Sequence, residues 1–181
     1  MQHTRPLLLL SLAILTSSLF HLSAISALKV KPQPYLNTQY HTTGRCPVTR
    51  PTRFTPPAPF PATTGPKQFW FGTNALWTLL PINGEWSMLP QSPSGYTQKM
   101  GWFSERYNWK MDPRPAFTIV GNRIDGPAPP LTITAINGIH TERYPSSIAV
   151  RLNIPSGGCW RITAKYREQR VTVVVQVRAA H

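Results

Sequence analysis

The chain has 181 residues, and its 19 lysines and arginines against 6 aspartates and glutamates give a formal net charge of +13. With so few acids and only 5 histidines, the sequence leaves few combinations of side chains for acid–base catalysis or metal ligation. The charge predicts attraction to an anionic partner, although a scattered basic surface that only keeps the protein soluble fits the same composition.

The first 27 residues have the pattern of a secretory signal peptide. Positive charge at Arg5 precedes an apolar core at residues 7–15, and small residues follow up to Ala27. Cleavage is expected after Ala27, with the position after Ser26 as the alternative. An uncleaved membrane anchor is the competing interpretation, since the apolar region approaches the length of a bilayer span, but His21 weakens it. We therefore predict a secreted or extracytoplasmic protein without a lipid-attachment cysteine.

Prolines recur through residues 28–66, which predicts an extended arm. Proline lacks a backbone N–H and fixes its φ angle, so this spacing forbids a helix and disfavours a central strand. Residues 67–181 have the usual length of one domain, and they show no internal repeat.

The domain is predicted to be all-β, because short strand candidates alternate with Gly, Pro and Asn and no helical period is sustained. About seven to nine strands at this spacing favour an immunoglobulin-like β-sandwich. Tight turns are expected at residues 81–84, at Asn137–Gly138 and at residues 155–158. The candidate strands are residues 68–71, 75–80, 85–89, 99–105, 117–124, 131–136, 147–154, 158–166 and 171–177.

Residues 158–177 read as the closing hairpin of the sandwich. In its first strand one face is apolar, while the alternate face carries Cys159, Arg161, Thr163 and Lys165. The apolar face is formed by Trp160, Ile162, Ala164 and Tyr166.

Cys46 and Cys159 are the only cysteines, so oxidation after export permits a single pairing. We predict that this disulfide fastens the proline-rich arm to the sandwich. A catalytic thiol or a metal pair is the functional alternative, but neither cysteine has a CxxC partner or a nearby histidine.

A segment of interleaved aromatic and basic residues, 99–110, is the candidate binding site. Aromatic rings can pack on sugar C–H surfaces while neighbouring charges bind polar groups. The alternative is that the rings belong to the core or close the end of the sandwich, as expected for Trp70, Trp77 and Trp160. The candidate binding residues are Trp102, Arg106, Tyr107, Trp109 and Lys110.

No catalytic residue, metal ligand or cofactor is predicted. His140 and Glu142 are two apart but lack further ligands, and a turn-capping or solvent-facing role is favoured for them. Glu85 and Glu105 would serve glycoside hydrolysis only in a geometry that the sequence does not show. Asp125, which precedes Gly-Pro, is expected to accept backbone hydrogen bonds in a tight turn.

Three blocks of sequence are distinctive, namely Leu-Trp-Thr at 76–78 with the following Asn-Gly turn and Trp86, Asp-Gly-Pro-Ala-Pro-Pro at 125–130, and Gly-Cys-Trp at 158–160. Together they resemble a family of uncharacterised secreted bacterial proteins, many of them putative lipoproteins. The resemblance implies an immunoglobulin-like domain and the Cys46–Cys159 bridge, and it supplies no catalytic residue. The chain differs from lipoprotein-like members in lacking the attachment cysteine, and from the acidic members in its basic charge.

These observations predict a non-catalytic binding or structural module of the cell envelope whose partner is an anionic polymer or glycan. Export and the lack of a recognisable binding motif argue against nucleic acid. The alternative is a small secreted hydrolase or a protease inhibitor with an unrecognised active loop.

Overall fold

A computed structural model describes residues 45–178, which form ten β-strands and no helix. The all-β prediction is confirmed. The predictions for residues 1–27 and for the beginning of the arm, 28–44, lie outside the described residues. The strands are β1 Gln68–Thr73, β2 Leu76–Pro81, β3 Glu85–Trp86, β4 Gln91–Ser92, β5 Gly95–Phe103, β6 Phe117–Arg123, β7 Thr132–Ile139, β8 Ser147–Ile154, β9 Gly158–Tyr166 and β10 Gln169–Val177.

The strands form two sheets that pack against each other. The first has the order β1-β2-β5-β8-β7, with β4 paired to β5, and the second has the order β3-β10-β9-β6. Within these orders, β2-β5-β8-β7 and β6-β9-β10 reproduce the A-B-E-D and C-F-G sheets of the immunoglobulin fold. All pairings are antiparallel except the short one between β3 and β10. The immunoglobulin-like sandwich is therefore confirmed, with hairpin β1–β2 widening the first sheet.

The core lies between the two sheets and follows the predicted alternation. Trp160, Ile162, Ala164 and Tyr166 of β9 are buried, whereas Arg161 between them is exposed. Apolar side chains of β5 and β8 in the opposite sheet meet this face, because their inward positions are apolar as well. The predicted partition of β9 into an apolar face and a polar or crosslinked face is confirmed, with Cys159 buried at the disulfide on the outer face.

A second aromatic cluster lies on the outer face of the first sheet. Trp70, Trp77 and Phe103 are buried there, and Phe54 and Phe60 of the proline-rich segment cover them. The indole N–H of Trp70 donates a 2.9 Å hydrogen bond to the carbonyl of Pro61. The described part of the arm therefore packs on the sandwich.

The beginning of the described chain is fixed to the second sheet. Cys46 and Cys159 form a disulfide bond, as predicted. The backbone N–H of Thr49 donates to the carbonyl of Val174, and the hydroxyl of Thr49 accepts from the N–H of Val174, both at 2.8 Å. This segment thus runs along β10 beside β3.

Two local predictions need correction. Asn137 and Gly138 were expected to form a turn, yet both lie within β7. A Cβ atom at Gly138 would collide with the hydroxyl of Tyr107, so the glycine allows close packing here. The strand predicted from residue 99 begins at Gly95, after the short strand β4 that the sequence analysis missed. The turn predicted at residues 81–84 is confirmed by the bond from Gly84 N–H to the Pro81 carbonyl.

Candidate functional site

A cleft of about 440 Å³ lies beside the loop that follows β5. Two other parts of the chain complete it, namely the proline-rich segment and the connection between β7 and β8. Its lining residues are Pro57, Ala58, Pro59, Phe60, Ser104, Glu105, Tyr107, Asn108, Trp109, Lys110, His140, Pro145 and Ser146.

The loop takes its shape from short hydrogen bonds that serine and asparagine side chains make with nearby backbone. The hydroxyl of Ser104 accepts the N–H of Arg106, and the Oδ1 of Asn108 accepts the N–H of Lys110. Side chains of these types stabilise turns in this way. The resulting turns place Trp109 and Lys110 next to each other at the cleft.

Trp109 is half-buried and stacks on His140. Their ring centroids are 5.4 Å apart and the planes differ by 28°. The backbone N–H of Trp109 donates to the hydroxyl of Ser146 at 2.9 Å, and the Nδ1 of His140 lies 2.7 Å from the carbonyl of Pro145. These contacts hold an aromatic pair in a defined position on the wall of the cleft.

Tyr107 supports the cleft from below. It is buried, and its hydroxyl donates a 3.0 Å hydrogen bond to the carbonyl of Asp112. Burial, with a smaller effect of the Asp112 charge, raises the pKa of Tyr107 to about 12. The phenol is therefore neutral at physiological pH and acts as a hydrogen-bond donor that fixes the loop.

The structure brings together three of the five candidate binding residues. Tyr107, Trp109 and Lys110 line the cleft, whereas Arg106 is exposed in the same loop but does not line it. Trp102 is fully buried in the main core and packs at 5.7 Å from Phe117. The predicted binding role of Trp102 is corrected: its inward position on β5 makes its ring part of the core.

The candidate catalytic pairs do not converge. His140 lies in the cleft, but Glu142 does not line it. Glu85 lies on β3 and pairs with Arg178 at 2.5 Å, a hydrogen bond that lowers the pKa of Glu85. Glu105 follows β5 in the other sheet and lines the cleft.

The contact of Asp125 differs from the one predicted. Its carboxylate accepts a 2.6 Å hydrogen bond from the Nε of the Arg123 side chain, whereas backbone donors were predicted. Among residues 45–178, no group of three or more His, Cys, Asp or Glu side chains could hold a metal ion.

Sequence reasoning missed the residues that the arm and the β7–β8 connection contribute to the cleft. Prolines 57 and 59 carry no local signal for a site, and neither do Pro145 and Ser146. They meet the loop only through tertiary packing, which a linear pattern does not encode.

The chain matches no protein-family model, and no curated protein or solved structure matches it either. The resemblance to a family of secreted bacterial proteins therefore stays a prediction. The described residues also contain no helix with the length and apolar character needed to span a membrane.

Proposed function

We propose that the protein is an exported, non-catalytic module that binds an anionic glycan or polymer of the cell envelope. The observation that carries this proposal is the cleft in which the Trp109–His140 pair lies next to Lys110. A concave site with an aromatic surface and a few polar groups is the usual form of a ligand pocket.

The chemistry of the lining suits an acidic sugar. The indole of Trp109 offers an apolar surface for sugar C–H groups, and the Lys110 ammonium would attract a carboxylate or phosphate substituent. Glu105 and Asn108 add polar groups that can bind hydroxyls. The net charge of +13 supports the anionic character of the ligand, because it raises the concentration of polyanions near the surface.

A direct test is binding of the full-length, oxidised protein to fractionated envelope polymers over a salt titration. Trp109→Ala and Lys110→Gln should each weaken binding by about tenfold, which is the loss of roughly 1.4 kcal/mol. Met111→Ala is the matched control, since Met111 lies in the same loop, is 83% exposed and does not line the cleft.

The outcomes separate the candidate functions. Binding that falls with salt and is weakened by both cleft variants, but not by Met111→Ala, supports the proposal. If no fraction binds even at low salt, the proposal fails, and the alternatives of a small hydrolase or a protease inhibitor take its place. Equal loss in all three variants would also contradict it, because the cleft would then have no special role.

A further inference from the structure

Lys99 and Arg151 lie directly opposite each other on the outer face of the first sheet. They are paired in the register of β5 and β8, and both are exposed. The N–H of Thr97, two residues earlier on β5, donates to the carbonyl of Pro90 and so points away from β8. The N–H of Lys99 has the same direction and donates to the Oε1 of Gln98. The two residues therefore form a pair without mutual backbone hydrogen bonds, the arrangement in which opposite side chains are closest.

The repulsion between these two cations is not offset by an ion pair within the described chain. Like charges directly opposite each other on a strand pair are destabilising. Among residues 45–178, the ion pairs are Arg123–Asp125 and Arg178–Glu85, and neither involves Lys99 or Arg151. All six acidic residues of the chain lie within the described range, so few side chains could neutralise the pair.

The same two side chains border a hollow in the sheet surface. This hollow has a volume of about 180 Å³. The small side chains of Ala135 and Ala149 form its base, and Asn137 lies at its side. It is open to solvent because the small residues leave room between the longer neighbours. A second hollow of about 210 Å³ continues on the other side of Lys99 toward Gln68.

We propose that the Lys99–Arg151 hollow binds a phosphoryl group. The Arg151 guanidinium can donate two parallel hydrogen bonds to phosphate oxygens, while the Lys99 ammonium supplies a compact charge from the facing strand. The amide of Asn137 offers a further donor. A bound dianion converts the repulsion between the two cations into attraction to a shared partner.

The site is independent of the cleft. The two border each other through consecutive residues, since Ile139 lines the hollow and His140 lines the cleft. No cleft residue takes part in the proposed phosphate contacts, so the hollow could bind its ligand even where Trp109 and Lys110 bind none.

The phosphoryl group can belong to free phosphate or to a polymer with phosphodiester links, and two ligands distinguish these sources. The full-length, oxidised protein is titrated at low salt with inorganic phosphate and, separately, with a poly(glycerol phosphate), by NMR chemical shift or calorimetry. Binding of inorganic phosphate alone identifies the free ion, whereas tighter binding of the polymer identifies a polymer-borne group. Either result supports the site when Lys99→Gln and Arg151→Gln weaken that binding.

The variants are Lys99→Gln and Arg151→Gln. Each should weaken phosphate binding by about tenfold, the loss of one charge-assisted contact. Lys165→Gln and Arg170→Gln are matched controls, because this pair is also basic and directly opposite, but lies on β9 and β10 of the other sheet. The controls should change the affinity less than about twofold.

Two outcomes would overturn the inference. One is the absence of binding to either phosphate ligand. The other is an equal loss in the Lys165→Gln and Arg170→Gln controls, which would assign the attraction to net charge. Thermal unfolding of each variant verifies folding, and Lys99→Gln and Arg151→Gln should not lower the midpoint, since each removes a repulsion.

Discussion

The ring of Phe60 meets the ring of Trp77 edge to face, with centroids 5.2 Å apart and planes at 88°. Phe60 belongs to the proline-rich segment, and Trp77 lies on the outer face of β2. Edge-to-face pairs of this kind add to the stabilisation from burial alone. The segment therefore completes a small core on the outside of the first sheet.

Phe60→Ala should destabilise the protein by about 2 kcal/mol, because it removes a half-buried ring from this cluster. The free energy of unfolding from urea titration measures the change. Met88→Ala is the control, since this side chain is 91% exposed and should have an effect below about 0.5 kcal/mol. An equal, small effect of both variants would mean that the Phe60 ring contributes nothing measurable to stability.

Loss of the disulfide should lower the free energy of unfolding by more than the loss of any single side-chain contact. The bond closes a loop with a sequence separation of 113 residues. Removal of a native disulfide typically costs about 2–5 kcal/mol, chiefly because the unfolded chain gains conformational freedom. The double variant Cys46→Ala/Cys159→Ala should show this loss in urea unfolding, and a reductant should destabilise the native protein but not the variant.

Thr78→Val should destabilise the protein by about 1 kcal/mol. The hydroxyl of Thr78 is fully buried and donates a 2.7 Å hydrogen bond to the carbonyl of Gly101. Valine has the same shape but leaves that carbonyl without the donor. Thr118→Val on the exposed face of β6 serves as the control. A similar result for both substitutions would contradict the role assigned to the buried hydroxyl.

The stability of the protein should fall at alkaline pH through Tyr107. Its pKa is raised from 10 to about 12 in the folded state, so the unfolded chain loses this proton first. The raised pKa of Tyr107 therefore stabilises the folded state fully below pH 10. This stabilisation is lost as the pH rises from 10 to about 12, and the free energy of unfolding falls by at most about 1.4 kcal/mol per pH unit.

Urea unfolding measured from about pH 9 to about pH 12, the range of tyrosine ionisation, would detect the loss. Tyr107→Phe should show a shallower decline than the native protein, because phenylalanine has no proton to lose. Identical pH profiles would show that the folded environment of Tyr107 does not shift its pKa.

Lys99→Gln should stabilise the protein in the absence of phosphate, by about 0.2–1 kcal/mol at low ionic strength, since it relieves the repulsion with Arg151. Lys67→Gln is the control, because Lys67 is an exposed residue outside the strands. A gain that persists unchanged in high salt would contradict an electrostatic cause.

The fold could be predicted largely from local pattern. The alternation of Trp160, Ile162, Ala164 and Tyr166 correctly marked the inner face of β9. Gly138 led to a wrong prediction of a turn, because glycine is used both in turns and where a side chain packs closely against the backbone. Only the position of Tyr107 decides between the two. The short strand β4 was missed because its two polar residues, Gln91 and Ser92, carry no strand signal.

The candidate site could be predicted only in part. Aromatic and basic residues in the loop after β5 indicated Trp109 and Lys110, which line the cleft. Trp102 was included among the candidate binding residues because composition alone does not tell which residues of a strand face inward. The Lys99–Arg151 pair could not be recognised at all, since its opposition depends on the register between β5 and β8.

The outer side of β10 carries backbone groups that are already bonded within the molecule. Val174 pairs with Thr49, the N–H of Gln176 donates to Gly84, and the N–H of Arg178 donates to Trp86. An open strand edge can recruit a strand from another molecule and begin aggregation. The segment held by the Cys46–Cys159 disulfide occupies part of that edge, so the disulfide helps to keep a strand of another molecule from pairing with β10.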